Sequence, residues 1–141
     1  MNTAEKTNIT VQTIVEAPVE KVWESWNEPR HITQWCQASD DWHAPHSEND
    51  LRKNGKLKTT MAAKDGSVSF DFEAVYTNVE LHKKIEYDIV DGRKVSIQFI
   101  PQGKSTKVVE TFEAEGTHPI EMQRGGWQAI LDSFKSYTEK L

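Results

Sequence analysis

The sequence predicts an α+β domain in which a curved antiparallel sheet of six to seven strands wraps one long C-terminal helix. Two short helices follow the first strand. Three observations predict this. A run of strands with one wet face fills the middle of the chain. Tight turns join consecutive strands, so they form a meander. The last segment alone carries a long stripe of apolar residues at helical spacing, and an apolar sheet face must be covered by something.

Each element follows from its residues. Met1 to Asn8 is polar and is expected to be a flexible N-terminus of one domain spanning 1–141. Ile9 to Ala17 is rich in β-branched residues and reads as a strand. Pro18 suits a helix start, since its missing N–H would be unpaired there anyway. Val19, Val22, Trp23 and Trp26 then fall at helical spacing. Pro29 starts a second short helix with Ile32 and Trp35. Cys36 to Glu48 is irregular and reads as a long loop, with a short strand near Asn49 to Arg52. Asn54-Gly55, Asp65-Gly66 and Asp91-Gly92 are hairpin signals. Between them Leu57 to Ala63 is a strand.

Val68, Phe70, Phe72, Ala74 and Tyr76 alternate with mostly polar neighbours, as do Ile85, Tyr87 and Ile89, and then Val95, Ile97 and Phe99. Pro101 to Gly103 turns the chain into a last strand, Thr106 to Ala114. Pro119 opens the final helix, with Thr117 or His118 as its cap. Trp127, Ile130, Leu131, Phe134 and Leu141 share one face. Gly125-Gly126 marks a kink, the true helix start, or a close backbone approach, because each interior glycine costs a helix about 1 kcal/mol.

Composition narrows the function. The 141 residues carry a net charge of -5 with a pI near 5.5. A nucleic-acid partner needs a basic face, so it is disfavoured. The single cysteine, Cys36, cannot form an internal disulfide, which fits a reducing cytoplasm. The segment MNTAEKTN has no signal-peptide core, and no apolar run reaches the ~20 residues a membrane helix needs. The expectation is a cytoplasmic protein without membrane insertion.

Several short stretches resemble one family in order and spacing. APVEKVWESW is similar to an Ala-Pro-x-x-x-Val-Trp helix opening, and ITQW to a second helix ending in tryptophan. DLRKNGKL stands where members carry an acidic residue, an arginine and a Gly-Gly pair. HKKIEY is similar to the strand after a proline-containing turn, and GGWQAILDSFKSY to a closing Gly-Trp-x-x-x-Leu helix. Together, from Ile9 to Leu141, they resemble the START-like (SRPBCC) superfamily and, within it, the activator of heat shock protein 90 ATPase homologue 1-like domain. The resemblance implies the helix-grip fold and a hydrophobic ligand held between sheet and helix. Asn54 replaces the first glycine of the pair but also tolerates a left-handed backbone. Leu81-His82 replaces the proline-containing turn.

The candidate site follows from the inward faces. Trp127, Ile130, Leu131 and Phe134 either pack as core or wall an apolar cavity. Trp35, Met61, Phe70, Phe72, Tyr76, Tyr87, Ile97 and Phe99 are the facing candidates, with the tyrosines as polar groups. Glu110 shares a strand face with Val108, Phe112 and Ala114. Facing inward, its carboxylate is paired or its pKa rises; a bulge or a place at the pocket mouth returns it to water. His43 and His46, with Cys36, Asp40 and Asp41, have zinc-ligand side chains, but Pro45 blocks a helix that would align them, and no metal or cofactor is expected. That segment, with Trp35 and Trp42, is instead a candidate lid. His82 and His118 suit turn or cap roles.

No nucleophile with its base is apparent. The leading expectation is binding of a small hydrophobic molecule, lipid-like or aromatic. A polyketide cyclase or dehydratase-like enzyme using Glu110, Tyr76 or Tyr87 as acid or base is the first alternative. A chaperone-regulating interaction protein is the second.

Overall fold

The computed structural model describes residues 7–141. These residues form seven strands and three helices: β1 (Asn8–Val15), α1 (Val19–Asn27), α2 (Pro29–Trp35), β2 (Trp42–Asn49), β3 (Lys56–Ala63), β4 (Ser69–Glu80), β5 (Lys84–Ile89), β6 (Lys94–Gln102), β7 (Ser105–Glu113) and α3 (Ile120–Glu139). One antiparallel sheet runs in the order β1-β7-β6-β5-β4-β3-β2. Strands β2 to β7 are the meander that the turn signals announce. β1 joins beside β7, so β1 and β2 end on opposite edges. The helices α1 and α2 connect those edges across one end. The sheet curls, and α3 lies in its concave side.

Alternation decides which side chains meet the helix. In β7, Thr106, Val108, Glu110 and Phe112 are buried while their neighbours are half-exposed. Ile85, Tyr87 and Ile89 of β5, and Val95, Ile97 and Phe99 of β6, point the same way. From α3, Leu131 and Phe134 are fully buried. Trp26 and Trp35 stand edge-on to Phe134, each with ring centroids 4.9 Å away, and close the end of the sheet. The Trp35 Nε1–H donates to the Ser25 carbonyl at 2.8 Å, which ties α2 to α1.

The structure corrects several expectations. The loop expected over Cys36 to Glu48 is half strand. WHAPHSEN has weak strand propensity, but β2 pairs with β3, and a register shift between His43 and His46 accommodates Pro45. The strand expected near Asn49 to Arg52 is a turn after Asn49, with Asn54 at φ 69°. β4 runs on to Glu80 through a register shift between Tyr76 and Asn78. Val68 precedes β4, and both it and Phe70 are about half exposed, so the better-covered part of the stripe begins at Phe72. β6 continues through Pro101 to Gln102, and Leu141 is half exposed.

At the ends, Asn8 is the first residue of β1, and the Thr7 carbonyl accepts from the Ala114 N–H. The remainder of the expected flexible segment, 1–6, lies outside the described residues. Neither Thr117 nor His118 caps α3 with its side chain. Pro119 takes the cap position, and the Gln123 side chain returns to donate to the His118 carbonyl at 2.8 Å. Gly125 and Gly126 lie inside a continuous α3. His82 sits in the β4–β5 turn at φ 62°.

The turn between β2 and β3 holds β4 in place. The Asn54 N–H donates to the Tyr76 carbonyl, and the Tyr76 N–H donates to the Gly55 carbonyl. A Cβ at Gly55 would stand 2.0 Å from the Asp50 carbonyl oxygen, so only glycine fits. Gly55→Ala is expected to lower stability by about 1–3 kcal/mol or more, read as a lower urea midpoint at unchanged slope.

Candidate functional site

Trp127 comes one residue after the glycine pair and leans onto the sheet. Its indole stacks on Phe112 with a centroid distance of 3.8 Å and an interplanar angle of 10°. Phe72 meets the same indole edge-on at 6.4 Å. Beyond this stack the helix backbone stays near β1, whereas α2 stays near β2. Between them, over β3 to β5, side chains enclose a cavity of about 440 Å³.

The cavity gathers most of the expected residues. Trp35, Met61, Phe70, Phe72, Tyr76, Tyr87, Glu110, Trp127 and Ile130 line it. Ile97, Phe99, Leu131 and Phe134 do not. They are at most 2% exposed and form the packed core beside it. On α3, then, Trp127 and Ile130 reach the cavity, and the next turn fills the end. Sequence reasoning missed Trp26, Ile32, Leu57, Ile85, Arg93 and Gly126, among others. Ile85 had a visible signal, its inward alternation. Trp42, expected in a lid, lines the cavity from a strand that was not legible.

Exposed lining residues mark the mouth. Ala38, Ser39 and the half-exposed Phe70 stand there, with Trp42 edge-on to Phe70 at 6.0 Å. Gly126 also lines the cavity, and a Cβ there would meet nothing within 4 Å. The glycine pair lies within a continuous helix and makes no close approach. At Gly126 it leaves open space.

Several polar groups of the lining stand close to one another. Glu110 is 6% exposed, and burial pushes its carboxyl from an ordinary 4.5 up to about 8. No bulge carries it outward: β7 pairs in continuous register with β1 and β6, Glu110 opposite Val11 and Ile97. Among the described residues no hydrogen bond or ion pair holds the carboxyl. Tyr87 is raised well above 10, by burial first and then by Glu110. The Cys36 thiol is pushed up to about 12, by burial first and then by Glu110. The Tyr76 hydroxyl donates to Asn49 Oδ1 at 2.5 Å. Arg93 lines the cavity but is tied to Asp91 at 2.9 Å.

Among the described residues the histidine pair gathers no set of three ligand groups. His46 faces Glu48 at 3.0 Å. Glu24, Glu28 and His31 do place three ligand atoms within 4.8 Å of one another. Arg30 already bridges the two carboxylates there, at 2.9 and 2.6 Å. No helix among the described residues is long and apolar enough to cross a membrane.

A curled antiparallel sheet that grips one long helix over an aromatic-walled cavity defines the helix-grip, START-like class of domains. Within that class the chain belongs to the family described as activator of Hsp90 ATPase homolog 1-like protein, whose model matches residues 16–139. A solution structure of the AHSA1-like protein from Aeromonas hydrophila is 42% identical, with a TM-score of 0.89 over 95% of this chain and 93% of that one. A protein from Cytophaga hutchinsonii is 58% identical, with a TM-score of 0.82 over 94% and 92%. A Nitrosomonas europaea protein shares the fold at 18% identity, with a TM-score of 0.81 over 94% of each chain. No curated protein matches the chain.

The buried carboxyl has a thermodynamic signature. Between its ordinary value of 4.5 and its folded value of about 8, the unfolded chain is ionised while the folded one keeps the proton. Stability is therefore expected to fall as pH rises through that window, by on the order of 1.4 kcal/mol per pH unit. Above about pH 8 the loss levels off. Glu110→Gln removes the titration. Urea melts of both proteins across the window should show the variant gaining on the wild type as pH rises. Parallel curves would mean that Glu110 is solvated or paired.

Proposed function

We propose that the protein binds one small, largely apolar molecule in the cavity between the sheet and α3. The observation that carries this is the cavity itself. Its volume of about 440 Å³ falls in the range of small-molecule sites, and its wall is mainly aromatic and aliphatic. A few polar groups at the closed end give a bound molecule its orientation. The lone cysteine has no second cysteine to pair with, which suits a reducing compartment and supports a cytoplasmic location. The family description names an ATPase activator of a chaperone. That role calls for an exposed docking surface and no cavity, so the cavity favours the ligand reading.

The test uses the tryptophans. Trp26, Trp35, Trp42 and Trp127 line the cavity, and Trp23 does not. A neutral apolar fluorophore such as N-phenyl-1-naphthylamine is expected to quench their emission saturably, with one site per chain. Native mass spectrometry of protein purified gently from its own host is expected to show a lipophilic adduct. If neither appears, the reading fails.

Two substitutions separate wall from core. Trp127→Ala is expected to weaken probe binding at least about tenfold while losing less stability than the ~3–5 kcal/mol of a fully packed tryptophan. A loss at the upper end with unchanged binding would mark Trp127 as core. Gly126→Ala is expected to raise stability by about 1 kcal/mol, since the added methyl meets open space. The same methyl narrows the cavity, so probe affinity should drop in a parallel titration.

A further inference from the structure

We propose that Glu110 and Tyr87 together form a two-donor pocket for one carbonyl oxygen of an uncharged, otherwise apolar ligand, with the Cys36 thiol beside them. The proposal rests on the cavity reading above and names the chemistry of its closed end. Five titratable side chains line the cavity: Cys36 from the end of α2, Tyr76 from β4, Tyr87 from β5, Arg93 from the β5–β6 turn and Glu110 from β7. Tyr76 already donates to Asn49, and Arg93 is paired with Asp91. Among the described residues, the Glu110 carboxyl and the Tyr87 hydroxyl have no hydrogen-bond partner. α3 contributes Gly126, Trp127 and Ile130 here, and β3 contributes Leu57, Thr59 and Met61, none of which titrates.

These groups are donors near neutral pH. Burial alone keeps the Glu110 proton in place up to about pH 8, and a neutral carboxylic acid in an apolar site donates a hydrogen bond. Tyr87 stays protonated still higher. Each is close enough to the other that ionised Glu110 would raise Tyr87 further. Two O–H donors at the end of an apolar cavity match an acceptor with two lone pairs, which a ketone oxygen supplies. A hydrocarbon in the same place would leave both donors buried and unpaired, which costs affinity. A cationic amine would instead demand the ionised carboxylate, which burial opposes.

The experiment compares three probes of one shape: 2-acetylnaphthalene, 2-ethylnaphthalene and 1-(2-naphthyl)ethylamine. Their affinities for the intact chain are measured from about pH 6 to about pH 10. The ketone is expected to bind at least about tenfold tighter than the hydrocarbon at the acid end. That preference should fade as pH climbs through about 8, when Glu110 loses its proton. Glu110→Gln keeps an N–H donor, so it should retain most of the preference and lose its pH dependence. Tyr87→Phe should reduce the preference at every pH.

Equal binding of ketone and hydrocarbon at the acid end would overturn the donor pocket and leave the cavity reading standing. Tightest binding of the amine, growing as pH rises toward 8, would also overturn it and make Glu110 a counter-ion. Failure of all three probes would overturn the proposal and the cavity reading together. The wild-type comparison of ketone with hydrocarbon decides the matter even if a variant does not fold.

Discussion

The concave face of the sheet is wider than the helix that must cover it. Strands lie about 4.8 Å apart, so seven of them span about 29 Å before curling. A helix with its side chains is about 10–12 Å across. α3 settles beside β1, and α2 settles beside β2. The strip over β3 to β5 lies between these two helices. Large side chains from both sides lean across that strip and do not fill it, and the remainder is the cavity. Curvature, end-plugging by α1 and α2, and the aromatic content of the wall all answer to this one mismatch of widths.

The fold gives up stability at the cavity in two ways that packing does not require. Gly126 stands in the helix at the cavity wall with no neighbour that forbids a methyl group. Glu110 places an unpaired carboxyl where its neighbours on the strand face are Val108 and Phe112. Elsewhere the same layers are conventional, with alternating strands, an aromatic cluster at the closed end and a tight turn where only glycine fits. Local choices that oppose stability, at one cavity in an otherwise consistent fold, fit the proposed ligand site.

The aromatic residues divide the labour along α3. Phe134 meets Trp26 and Trp35 and belongs to the packed end. Trp127, two turns earlier, lies flat on Phe112 and also lines the cavity. One face of one helix thus contributes to a solid core at one end and to a wall at the other. The change occurs between Ile130 and Leu131, adjacent residues of which one lines the cavity and the other is fully buried.

The sequence by itself determined the class of fold, because its signals are local. Alternation along β4 to β7, glycine-containing turns and the stripe from Trp127 to Phe134 each depend on residues near one another in the chain. For Glu110 the phase with Val108 and Phe112 only posed the question, and the unbroken register of β7 answers it. Only the tertiary structure decided the rest. β2 exists because β3 lies beside it, so a segment with Pro45 and two histidines becomes strand against its propensity. Core and cavity wall share one hydrophobic pattern, so periodicity could not separate Phe134 from Trp127, or Ile97 from Ile85. That separation depends on how far each helix stands from the sheet, and the distance is set by packing between elements remote in sequence.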